Sequence, residues 1–68
     1  MREHDVVRLL RGSPARGLAP GALGAIIHVF TRPNLAYEVE FCDDSGRTIA
    51  QLPLEPGAIE PVTERLSA

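Results

Sequence analysis

Tyr37-Glu38-Val39-Glu40-Phe41-Cys42-Asp43-Asp44-Ser45-Gly46-Arg47 is the stretch whose reading decides the fold. Side chains on a strand alternate between faces, so Tyr37, Val39 and Phe41 share one side and Glu38, Glu40 and Cys42 the other. The first set predicts a core face and the second a solvated one. Asp43-Asp44-Ser45-Gly46 then predicts a hairpin, because Asp at the first position and Gly at the last fit a type I turn closed by a left-handed glycine. A three-residue loop over 44–46 pairs Asp43 with Arg47 and Phe41 with Ile49, which sends Ile49 into the core. Leu52 and Leu54 fall on the opposite parity, and a bulge near Ala50-Gln51 is the device that would reconcile them. Pro53 marks an edge or the end of pairing. Segment 47–54 is therefore read as a bent strand.

Working outward, 22–30 is the most apolar run and predicts a long strand with Ile27 and Val29 inward. Gly24 within it predicts a bulge or sharp bend. Thr31-Arg32-Pro33-Asn34 breaks the pattern with a turn. Segment 4–10 predicts a first strand with Val7 and Leu9 in the core. Between these strands, Gly12, Pro14, Gly17, Pro20 and Gly21 punctuate 11–21 too densely for helix or strand, leaving a long loop of the kind that often carries function. Downstream, Glu55-Pro56-Gly57-Ala58 predicts a turn and 59–62 a short fifth strand. The tail from residue 63 is expected to be frayed. Five short strands with no amphipathic helix predict an all-β fold, a small five-stranded SH3-like barrel.

A chain of 68 residues has room for one domain, 1–68, with an ordered core of about 4–62. Such a domain buries only roughly 60% of its unfolded surface, so support from a partner or a second copy is expected. The single cysteine, Cys42, excludes an internal disulfide, and the sequence lacks a clustered Cys/His set for a metal. Net charge is -2, and the basic residues are seven dispersed arginines interleaved with nine acidic residues. Nucleic-acid affinity rests largely on phosphate contacts from a basic patch, so this balance argues against it. The start of the chain has mixed charge and the apolar run after it is too short for a signal peptide or a membrane span, so a cytoplasmic protein is expected.

No candidate chemistry exceeds its plain alternative. Gly17, Gly21 and Gly24 miss the spacing of phosphate-binding loops and precede no helix. His4 and His28 lack companion ligands, and acidic neighbours blunt Cys42 as a nucleophile. Glu38 and Glu40 lie two apart on an outward face, suited to meeting a basic partner. Leu52 and Leu54, which do not both fit the inward face, would add exposed apolar surface to a partner-binding site. Arg11, Arg16 and Arg32 are the candidates for a nucleic-acid rim beside the 11–21 loop. Phe30, Tyr37 and Phe41 are too few for a base-stacking platform, since two of them are committed to the core.

Several segments in order resemble a known family. Glu3-His4-Asp5-Val6-Val7, the Gly17-Leu18-x-x-Gly21-x-x-Gly24 spacing leading to Ile27-His28-Val29, Tyr37-Glu38-Val39-Glu40-Phe41 and Gly46-x-Thr48 are similar to domain-of-unknown-function family 4926, short bacterial proteins. The likeness runs from about Glu3 to Val62. It implies an SH3-like barrel in a free-standing cytoplasmic protein and implies no activity. The glycine rhythm is more distantly similar to ribosomal KOW segments, the nitrile hydratase β-subunit barrel and small photosynthetic electron-transfer subunits. Those relatives have different partners, so the fold does not select a function. The expected function is a non-catalytic protein-interaction module, a regulatory or antitoxin-like partner of a neighbouring protein, or a homodimer. It is not expected to be an enzyme or to use a cofactor or metal. The alternative is a KOW-like nucleic-acid-binding barrel using the 11–21 loop.

Overall fold

A computed structural model describes residues 1–62, and the alternation in the middle of the chain organises it. Strand β3 (Ala36–Cys42) buries Tyr37, Val39 and Phe41 and turns Glu38 and Glu40 outward. The hairpin after it forms with the expected three-residue loop. Asp43 N–H donates to the Arg47 carbonyl at 2.8 Å, and Gly46 closes the turn at φ +86° by donating to the Asp43 carbonyl at 2.9 Å. One Asp43 carboxylate oxygen also accepts from the Ser45 hydroxyl at 2.7 Å, the Ser45 N–H at 2.9 Å and the Arg47 N–H at 3.0 Å.

Strand β4 (Thr48–Leu54) departs from the expected register. Cys42 pairs with Thr48 but Phe41 pairs with Ala50, so Ile49 is the extra residue of a bulge. Ile49 is 49% exposed, which corrects its expected place in the core. The bulge sits just ahead of Ala50-Gln51, where it was expected. Packing supplies the reason. Extruding one isoleucine lets Ala50, Leu52 and Leu54 all face inward, Leu52 opposite Val39 and Leu54 opposite Tyr37.

Strand β2 (Leu23–Phe30) carries the same device. Ile26 lies opposite Val39 and His28 opposite Glu38, leaving Ile27 in a bulge between them. Ile26 is fully buried and Ile27 is 38% exposed, so the predicted core residue is replaced by its neighbour. Val29 packs partly buried against the core, as expected. Gly24 is not the bulge; it is a point of close approach. A Cβ there would lie 2.6 Å from Val39 Cγ1 and 2.9 Å from both the Glu40 carbonyl and Phe41 Cδ1.

Strand β1 (Val6–Leu9) runs between β2 and β5 (Ile59–Pro61), and the antiparallel order is β4-β3-β2-β1-β5. Val7 and Leu9 are buried as predicted. The segment joining β1 to β2 is more ordered than its composition predicts. It holds a 3₁₀ turn (Pro14–Arg16), and Ser13 and Leu18 exchange two backbone hydrogen bonds of 2.7 and 3.1 Å. Leu18 is buried, a core residue that the reading of 11–21 as loop did not include. A second 3₁₀ turn (Pro56–Ala58) leads into β5, and the Arg32-Pro33 bond in the β2–β3 turn is cis. No α-helix occurs among the described residues, so the fold is all-β. The tail from residue 63 lies outside them.

Candidate functional site

The register that buries Val7, Ile26, Val39 and Phe41 presents a second set of side chains on the opposite face of the same strands. Val6 pairs with Ala25 and Ala25 with Glu40, giving one outward row across β1, β2 and β3. Arg8 pairs with Leu23, and one step beyond the Gly24–Phe41 pair sets Leu23 beside Cys42, giving a second row. Val6 is 47% and Leu23 55% exposed. Between them, Ala25 has only a methyl group, so the middle of β2 is low and its flanks are high. The result is a shallow open groove of about 250 Å³ lined by Val6, Leu23, Gly24, Ala25, Glu40 and Cys42.

Charged and polar groups surround the groove. The Glu40 carboxylate accepts a hydrogen bond from the Thr48 hydroxyl, and Glu38 accepts one from the Gln51 amide at 3.1 Å. These cross-strand bonds hold both carboxylates against the sheet. On the other flank Arg8 donates to Glu60 at 3.3 Å. Farther along β2, the His28 ring meets Phe30 edge-on with centroids 4.6 Å apart, and its Nδ1 lies 3.9 Å from a Glu3 oxygen. At the hairpin, the Ser45 hydroxyl and then the backbone N–H groups of the turn hold the Asp43 carboxyl below the ordinary aspartate range.

The sequence-predicted residues are only partly brought together. Glu38 and Glu40 share the outward face, half-buried, and Glu40 lines the groove. Leu52 does not join them. It is only 9% exposed and belongs to the core, and Leu54 packs against that core, so both lie on the other face of the sheet. The Ile49 bulge is the cause, because it reverses the parity that had seemed to leave the leucines outside. Arg11, Arg16 and Arg32 are all exposed. Arg11 and Arg16 stand on the segment entering β2, and Arg32 stands in the turn that leaves it, so they attach to opposite ends of that strand.

The residues that build the groove's apolar part, Val6, Leu23 and Ala25, were not singled out from the sequence. A signal existed for Val6, since placing Val7 and Leu9 inward sends Val6 and Arg8 outward. Among the described residues no group of three or more His, Cys, Asp or Glu side chains could hold a metal, and no helix is long and apolar enough to cross a membrane.

Fold and surface together define a small all-β antiparallel domain with an apolar groove on its outward face. The chain belongs to the family described as domain of unknown function (DUF4926), which it matches over residues 3–61. No curated protein and no solved structure matches it.

Proposed function

We propose that the protein is a non-catalytic interaction module of the SH3-like barrel type, a cytoplasmic regulatory partner of another protein. The observation that carries this reading is the groove. It offers exposed apolar surface at Val6 and Leu23, with half-buried Ala25 between them, beside the anchored carboxylate of Glu40. Exposed apolar patches rimmed by polar groups are where soluble proteins meet partners. A carboxylate at the rim favours a partner with a basic group next to its apolar contact. The β4-β3-β2-β1-β5 order, with a 3₁₀ turn before the last strand, supports the SH3-like assignment. The nucleic-acid alternative gains no support, because the candidate arginines attach to opposite ends of β2 and the outward face carries carboxylates.

Cross-linking and affinity capture in the native host test the reading with paired variants. The wild-type chain is expected to capture a defined protein that Leu23→Glu loses and an Arg11→Glu/Arg16→Glu double variant retains. Identical capture by Leu23→Glu and wild type overturns the groove as the site. Nuclease-sensitive binding lost only in the arginine double variant would replace it with the nucleic-acid reading.

A further inference from the structure

We infer that Pro53 and Pro61 close the two open edges of the sheet to strand addition, an inference that concerns the edges and stands apart from the groove. The order β4-β3-β2-β1-β5 leaves one side of β4 and one side of β5 with no strand beside it among the described residues. Such a side presents backbone donors and acceptors at every second residue, and these can pair with the edge of another chain.

On β5 the hydrogen bonds show which residues face which way. Leu10 N–H donates to the Ala58 carbonyl at 2.9 Å, and Val62 N–H donates to the Val6 carbonyl at 3.0 Å. Residues 58, 60 and 62 thus turn their backbone groups toward β1, and Ile59 and Pro61 turn theirs to the free side. Ile59 stands at the end of the 3₁₀ turn, so Pro61 is the position within β5 where an added strand would need a donor. Proline has none.

β4 repeats the arrangement. Pro53 lies opposite Glu38, and its neighbours Leu52 and Leu54 pair with Val39 and Tyr37, so the ladder runs on through the proline. That is possible only where the proline nitrogen points away from the paired strand. Pro53 therefore faces the free side, and so does Gln51 two residues before it. The Gln51 N–H is left between a position without a donor and the bulge at Ile49. An added strand needs successive bonds at two-residue spacing, and neither edge supplies two in a row.

Both prolines are exposed, so core packing does not account for them. Each of the two strands that end the sheet carries one proline, and in both it falls on a free-side position. A partner is accordingly met through side chains on the faces of the sheet, and not by a strand joined to its rim.

Sedimentation equilibrium of the full chain compares wild type with Pro53→Thr/Pro61→Thr from micromolar to millimolar concentration, the range in which open strand edges associate. Threonine restores both donors and suits strand backbone. The double variant is expected to reach at least double the wild-type average mass. Val29→Ala, which weakens the core and keeps both prolines, is expected to match the wild type. Equal masses for the double variant and the wild type overturn the inference. So does equal association of Val29→Ala and the double variant, because that traces association to lost stability. Amide hydrogen exchange gives a second reading on the wild type alone. The Gln51 N–H is expected to exchange at least about tenfold faster than the Leu52 N–H, which faces β3. Equal protection of the two would mean that the β4 edge is already occupied, and the inference would fall.

Discussion

β3 and its two neighbours follow the same alternation of faces with different results. β3 holds one parity from Ala36 to Cys42, so its buried residues stand at every second position. β2 and β4 each insert one residue, Ile27 and Ile49, and beyond each insertion the inward set shifts to the other parity. Both inserted residues are isoleucines, and both face solvent though their chemistry predicts a core. An apolar side chain on a strand therefore does not choose its face alone. The face is chosen by whichever register buries the most partners along the strand, and one isoleucine is left outside when that admits Ala50, Leu52 and Leu54.

The contrast is broken most forcefully on β3 itself. Phe41→Ala is expected to cost about 3–5 kcal/mol, the range for truncating a fully buried aromatic. Such a loss is a large share of a small domain's stability, and denaturant unfolding followed by circular dichroism would record it. A cost below about 1 kcal/mol would mean that β3 does not centre the core.

Next comes the bulge in β2. Ile26→Ala is expected to cost about 2–5 kcal/mol, and Ile27→Ala under about 1 kcal/mol. Equal costs, or the reverse order, would move the bulge and with it the outward rows. Gly24→Ala sharpens the account of the close approach between β2 and β3. Its methyl would enter the space of Val39 Cγ1, the Glu40 carbonyl and Phe41 Cδ1, and overpacking of this kind costs about 1–3 kcal/mol. A neutral or stabilising effect would show that β2 and β3 can part there without loss.

The smallest effect belongs to the hairpin joining β3 to β4. The turn's donors favour the charged form of Asp43, so its folded-state pKa lies below the ordinary aspartate value of about 3.9. Its stabilising contribution is therefore complete above about pH 4 and is lost as the pH falls through the lowered folded value. A carboxyl titration by NMR should place its midpoint below the ordinary value, and Asp43→Ala should remove that part of the acid sensitivity. A midpoint at or above the ordinary value would contradict the hydrogen bonds assigned to the turn.

Where the sequence was readable, local chemistry and global packing agreed. The alternation of 37–42 and the Asp43 and Gly46 turn positions are set by neighbours in sequence, so the hairpin and its loop length were legible. The bulges were not, because each is a compromise among strands distant in sequence. Leu18 was hidden for a related reason. Its surroundings are glycine and proline, yet the paired Ser13–Leu18 backbone turns it into the core. The same limit applies to the groove. Glu40 was evident from its own strand, whereas the dip beside it exists only once Ala25 stands between Val6 and Glu40.

The Arg8–Glu60 contact joins residues 52 apart in sequence, and it lies within the pairing of β1 with β5. Each hairpin of β2, β3 and β4 can zip locally, but β1 gains its second neighbour only after the chain has doubled back past all three. Closing so long a loop is entropically slow. During synthesis, β1 leaves the ribosome before β2, β3 and β4 and must wait for β5, which emerges after them. The nascent chain therefore exposes one edge of β1 until β5 has emerged to pair with it.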